Sequence, residues 1–167
     1  MGVPTRQDDP VPPRRRQGLV VASTVVLVLV VAAVGGLQLM NARGFQLFGT
    51  LVDRVETDEK VVALTLDDGP TEVTPGVLQM LEDLDVPATF YLTGTELEER
   101  PELGRAIVEA GHEVGNHTAT HRRMVLVGSG TVAEEIERTD AAIRATGYDG
   151  EITFRPPHGK KLVTLPR

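Results

Sequence analysis

The sequence predicts an α/β fold with parallel strands, behind one N-terminal membrane-spanning helix. Three observations predict it. From Lys60 onward, short apolar runs alternate with helical patterns in the order βαβαβαβ. Each polar cluster of that region falls at the end of an apolar run, where parallel sheets collect reactive groups. Ahead of it all, Gly18 to Met40 is a run of 23 residues without a charge.

As a helix that run spans about 34 Å, enough for a hydrocarbon core of about 30 Å. Arg14, Arg15 and Arg16 stand directly before it, with Arg6 further upstream. By the positive-inside rule the N-terminus stays cytoplasmic and the rest is exported. A cleaved signal peptide has the same polarity, but its apolar part is about 7–15 residues, and no clear small-x-small site ends this one. The expected organisation is a disordered cytoplasmic tail at 1–17, a signal anchor at 18–40, a linker at 41–59 and an exported domain at 60–167.

Charge divides along the same line. Residues 1–43 carry +3 and residues 44–167 carry −10 of the total of −7. The acidic body argues against nucleic acid as a partner and against lying flat on anionic lipid. There is no cysteine, which excludes disulfides, thiolate zinc sites and a Cys nucleophile. Histidine occurs at 112, 117, 121 and 158, and tryptophan is absent.

The elements follow in order. Val61 to Leu66 is β-branched and apolar and reads as a buried strand. Thr74-Pro75 gives an N-cap and a Pro at the first helical position, and Val77, Leu78, Leu81 and Leu84 form the apolar stripe. Ala88 to Leu92 is the second strand. Pro101 to Ala110 is a helix stopped by Gly111. His112 to Asn116 is the third strand. Thr131 with Glu134 makes a capping box for a helix that runs to Gly147. Ile152 to Phe154 is the fourth strand.

Three motifs carry chemistry. Asp67-Asp68-Gly69-Pro70 ends the first strand. Adjacent carboxylates repel unless a cation or proton relieves them, although Asp-Gly-Pro is also a good turn signal. His117-Thr118-Ala119-Thr120-His121 holds half of the chain's histidines within five residues. Two imidazoles at that spacing reach one cation of the zinc type. With Asp68 they would make a two-His, one-carboxylate site that keeps a position open for water. Arg155-Pro156-Pro157-His158-Gly159 follows the fourth strand, where the Arg155 charge needs a partner such as a carboxylate at a neighbouring strand end.

With these motifs in this order, the chain resembles the polysaccharide deacetylases with a NodB-homology domain, carbohydrate esterase family 4. The resemblance runs from about Lys60 to the last residue. It implies an irregular (β/α) barrel, incomplete here because only four strands are visible. It implies Asp67 as the general base, Asp68, His117 and His121 as metal ligands, and Arg155 as the residue that fixes Asp67. It also implies a backbone N–H at His158 for the oxyanion, at a position where Tyr is more usual. The ion implied is divalent, Zn2+ first, with Co2+, Mn2+ or Ni2+ as the others.

The family's catalytic acid, a His in a late Leu-x-His motif, and its Asp-x-x-Asp-Trp motif have no counterpart in these residues. The expectation is a truncated reading frame, a fragment or a degenerate copy. The function expected is removal of N-acetyl groups from an N-acetylhexosamine polymer, with an acetylated cell-wall polysaccharide, peptidoglycan, as the partner and the cytoplasmic membrane as the anchor. The rival readings are an acetyl-ester hydrolase on a xylan-like polymer and a membrane-tethered pseudoenzyme or inactive fragment.

Overall fold

The computed structural model describes residues 13–41, 52, 54–125 and 127–159. The chain divides into two compact units, Met1–Met40 and Asn41–Arg167. The first holds helix α1 (Pro13–Asn41). Its segment Arg16–Leu39 is long and apolar enough to cross a membrane. Its described side chains are exposed, with Val and Leu on every side. A helix apolar all round suits a solvent as apolar as itself. The Thr24 hydroxyl donates to the Val20 carbonyl at 2.9 Å, which satisfies that polar group inside the helix. α1 begins ahead of Gly18, at Pro13. The rest of the expected tail, 1–12, and most of the expected linker, 42–51 and 53, lie outside the described residues.

The second unit is built on a parallel sheet in the order β1-β2-β3. These strands are Thr65–Gly69, Thr89–Leu92 and Glu113–Asn116. Helix α2 (Thr74–Asp83) joins β1 to β2, helices α3 (Gly94–Glu99) and α4 (Pro101–Glu109) join β2 to β3, and α5 (Ser129–Ala145) follows β3. Parallel neighbours need such crossovers. Beyond α5, Phe154 makes an isolated parallel bridge to Asn116, and a 3-10 turn covers Pro157–Gly159. The expected α/β order with parallel strands is what the chain adopts.

Register separates the two faces of the sheet. Leu66, Phe90 and Val114 stand in one row, and Asp67, Tyr91 and Gly115 in the next. Side chains alternate along a strand, so adjacent rows face opposite sides. The first row joins Leu81, Leu92, Leu97, Ile107 and Ile143 in the hydrophobic core, under the helices. Leu92, Ile107 and Ile143 are fully buried. Each contributes about 1.5–3 kcal/mol from burial. The other face is polar: beside the Asp67 row, Thr89 donates to the Glu113 carboxylate at 2.8 Å.

Several boundaries differ from expectation. The first strand starts at Thr65, and Val61, Val62 and Leu64 are exposed rather than buried. Their backbone has one sheet contact, the Thr89 N–H to Leu64 carbonyl bond, and among the described residues no strand covers the outer edge of β1. Ile152 to Phe154 forms only the single bridge to Asn116. Thr74 is the first helical residue, not the cap, and its hydroxyl accepts from the Thr71 N–H at 2.9 Å. Leu84 lies past the end of α2 and is exposed. The Thr131–Glu134 capping box does not form, because α5 already starts at Ser129 behind an extended Gly128. Helix α3 was not expected; Thr93-x-x-Glu96 has the capping-box pattern, but the box does not form, because the Thr93 hydroxyl bonds the Glu96 carboxylate and the Thr93 N–H goes to the Gly69 carbonyl. Gly111 (φ 81°) and Gly147 (φ 95°) follow α4 and α5 in the left-handed conformation that glycine adopts without strain.

His112 enters β3 buried against Phe90, with ring centroids 5.3 Å apart and no partner for its Nδ1 among the described residues. Burial holds its pKa below the ordinary 6.5. A depressed folded-state value means that its contribution to stability is complete above about pH 6.5 and is lost as pH falls through the folded value. Thermal unfolding followed by circular dichroism is expected to show a smaller loss of Tm between pH 7.5 and pH 5 for His112→Leu than for the wild type. Equal losses would refute this role of His112.

Candidate metal centre

The site forms at the C-terminal ends of the strands. The register of β1 on β2 slips between Asp67 and Gly69, which pair with Tyr91 and Leu92, so Asp68 is an extra, bulged residue. Its φ is 67°. A bulge re-aims a side chain. Asp67 stays in the alternation of the strand, while Asp68 turns its carboxylate to the histidines.

His117 follows β3 and is 3% exposed, so its neighbours decide its state. Its backbone N–H donates to the Leu92 carbonyl at 2.9 Å. Its Nδ1 lies 2.7 Å from the Arg155 carbonyl oxygen, an atom that can only accept, so Nδ1 carries the proton. Burial holds this imidazole below the ordinary 6.5, against the opposing pull of the Arg155 carbonyl and of the Asp67 and Asp68 carboxylates. Burial thus favours the neutral ring, in which Nδ1 holds the proton and Nε2 is the lone-pair atom.

That lone pair faces Asp68 Oδ1 at 3.3 Å, and His121 Nε2 lies 3.1 Å from the same oxygen. The ligand atoms of Asp68, His117 and His121 all fall within 4.8 Å of one another. A lone pair opposite a carboxylate oxygen is unfavourable unless a cation lies between them. Ligands 2.0–2.1 Å from a tetrahedral ion would lie about 3.3–3.4 Å apart, so the donor types and the two Asp68–histidine separations fit a zinc-type ion. The Nδ1–H to carbonyl bond on His117 is the outer support that metal-bound histidines use.

The loop between the two histidines is tied at every residue. The Asn116 amide donates to the Ile136 carbonyl at 2.9 Å and to Asp140 at 2.7 Å, and accepts from the Thr118 N–H at 2.8 Å. The Thr118 carbonyl accepts from the Gly94 N–H at 3.0 Å, and the Ala119 carbonyl from the Thr95 N–H at 2.9 Å and hydroxyl at 2.8 Å. Glu135, itself buried, takes the Thr120 N–H at 2.8 Å and hydroxyl at 2.7 Å. Asn116, Glu135, Asp140 and Thr95 were not singled out from the sequence. Glu135 and Thr139 do interrupt the buried Val132–Ile143 stripe of α5 with polar groups, and that was the available signal.

Asp67 is on the polar face. Arg155 Nη1 donates to Asp67 Oδ1 at 2.7 Å and to Thr65 Oγ1 at 2.8 Å. The Arg155 N–H donates to the Asn116 carbonyl at 2.9 Å, which sets this segment beside β3. His158 is exposed at φ 58°, its ring centroid 4.8 Å from that of His121. The structure thus gathers all six residues singled out from the sequence, and His158 lies beside the ligand cluster rather than in it.

A parallel α/β scaffold with a candidate two-His, one-carboxylate centre defines the class. The chain belongs to the polysaccharide deacetylase family, whose family model, "Polysaccharide deacetylase", matches residues 54–166. It is 40% identical over 110 residues to a chitooligosaccharide deacetylase of Sinorhizobium fredii, covering 65% of this chain and 51% of that protein. It is 38% identical over 110 residues to the peptidoglycan-N-acetylglucosamine deacetylase PgdA of Listeria monocytogenes, covering 65% of this chain and 23% of that one. The chain therefore spans about half or less of the length of these relatives. Among solved structures it is similar to a family 4 carbohydrate esterase from Streptomyces lividans, with TM-score 0.58 and 39% identity over 62% of this chain and 54% of that one. It is also similar to a CE4 family pseudoenzyme from Bacillus anthracis, with TM-score 0.59 and 32% identity over 64% and 38%.

His117→Ala and Asp68→Ala are each expected to lose the bound ion after dialysis against zinc, measured by plasma mass spectrometry. Asp67→Asn should keep it. Unchanged metal content in all three variants would refute the ligand assignment.

Proposed function

We propose that this chain carries the metal centre and base of a hydrolase that removes N-acetyl groups from an N-acetylhexosamine polymer, with peptidoglycan as the substrate. The supporting observation is the convergence of Asp68, His117 and His121 beside a carboxylate clamped by Arg155. Zinc suits the donor set best, with cobalt, manganese or nickel as alternatives. A divalent ion at this centre supplies a Lewis acid for the acetyl carbonyl and lowers the pKa of water.

The residues divide ion binding, proton abstraction and oxyanion stabilisation among them; the proton that the departing amine takes up comes from a group outside this set. Asp68, His117 and His121 hold the ion, with His117 kept in one tautomer by the Arg155 carbonyl. Arg155 occupies Asp67 Oδ1, which leaves Oδ2 to accept the proton of the attacking water. The backbone N–H of His158 stabilises the oxyanion. Helix α1 serves as an uncleaved anchor, with the N-terminal side cytoplasmic and residues 60–167 outside. A second reading, metal binding without turnover, is favoured by the likeness to the Bacillus anthracis pseudoenzyme.

The full chain in detergent micelles, loaded with zinc, is expected to release acetate from peptidoglycan. Chelation should abolish release and zinc restore it, and Asp67→Asn should lower kcat about 10²–10⁴-fold. Acetate from acetylxylan alone redirects the assignment to ester hydrolysis. Bound metal with no acetate from either polymer supports the second reading. Protease applied to intact cells is expected to leave a fragment containing α1 in the membrane fraction. Recovery of the whole chain from the medium would refute the anchor.

A further inference from the structure

Arg155 is held from two directions. Nη1 bonds Thr65 and Asp67 in the plane of the guanidinium. From below, the Tyr91 ring lies under it, with Cζ 4.0 Å from the ring centroid. Two bonds from a single nitrogen leave the rest of the group free to swing about that nitrogen. A ring face removes that freedom, because the guanidinium stacks on it and is attracted to it.

The ring is seated as carefully as the cation. Asp67, Tyr91 and Gly115 share one register row, so all three face the polar side of the sheet. A Cβ at residue 115 would lie 2.5 and 2.6 Å from Tyr91 Cε1 and Cδ1, and 3.0 Å from the Thr153 carbonyl oxygen. Glycine therefore leaves the room that the ring occupies. At the far end the Thr153 hydroxyl donates to the Tyr91 oxygen at 3.1 Å.

We infer that Tyr91 and Gly115 are positioning residues: the Tyr91 ring, seated over Gly115, is the shelf that holds the Arg155 guanidinium on Asp67. The kinetic part of this inference rests on the proposed deacetylase reaction, and the structural part does not. Tyr91 reaches the reaction only through Arg155. A residue that merely filled space would be replaced equally well by Leu or by Phe, whereas a shelf requires an aromatic face.

The test compares Tyr91→Leu, Tyr91→Phe and Gly115→Ala in the zinc-loaded full chain in detergent micelles. By proton–nitrogen NMR, the Arg155 Nε–H signal of the wild type is expected upfield, under the ring current, and slow to exchange with water. Tyr91→Phe should keep both properties, and Tyr91→Leu should lose both. Gly115→Ala, which displaces the ring instead of deleting it, should also lose both. In acetate release, Tyr91→Leu is expected to lower kcat about tenfold with KM within about twofold, and Tyr91→Phe to stay within about twofold in both. An Arg155 signal that does not change in Tyr91→Leu overturns the inference, as does a Leu variant with the kcat of the Phe variant. A wild-type chain that releases no acetate defeats the proposed reaction instead, and the NMR comparison then decides the shelf by itself.

Discussion

The Arg155 carbonyl sets the tautomer of His117 while the Arg155 guanidinium holds Asp67, so a candidate ligand and the candidate base take their positions from the same residue. Its backbone N–H completes the set by donating to Asn116. This segment joins the sheet through one isolated bridge, which is little backbone pairing for so much dependence. The charge-assisted bond to Asp67, worth about 0.2–1 kcal/mol for a pair this exposed to water, helps hold it there. His117 and Asp67 are thus coupled through a short stretch of chain after α5. A displacement of that stretch disturbs both at once.

The site also concentrates backbone strain. Of the five non-glycine residues with positive φ among those described, four are Asp68, Thr118, His121 and His158. Each such conformation costs of order 1–3 kcal/mol and persists only where its surroundings over-determine it. The surroundings here are the ties on residues 116–120, most of them from α5 and from the start of α3. Asn116 and Glu135 are buried polar groups whose bonds are well satisfied, and that satisfaction is what makes their burial tolerable. α5 is therefore both a core helix, through Val132 and Ile143, and the back wall of the histidine loop.

Asp67, Asp68, His117, His121, Arg155 and His158 were legible in the sequence because chemistry restricts their identity and because they fall at strand ends. The parallel order was legible because apolar period and turn residues alternate clearly. Other features were not, for identifiable reasons. The bulge at Asp68 arises from pairing between β1 and β2, which a single strand does not encode. The Glu135 and Asp140 ties span 15 and 24 residues, so no local pattern announces them. The run Val61 to Leu64 looks like a strand because apolarity is local, while burial needs a partner. α3, at six residues, is shorter than the window in which helical period becomes visible.

The two-faced sheet has a consequence for assembly. Pairing β2 one residue out of step would carry Phe90 to the polar side and Tyr91 into the core, so a slip by one residue is penalised by lost burial. The penalty falls on apolar residues with no part in the chemistry. A chain that finds the arrangement able to bury Leu66, Phe90 and Val114 has, by the same step, aligned Asp67, Tyr91 and Gly115. Correct collapse and correct placement of the candidate base are then a single event, and the polar row need contribute nothing to finding its own alignment.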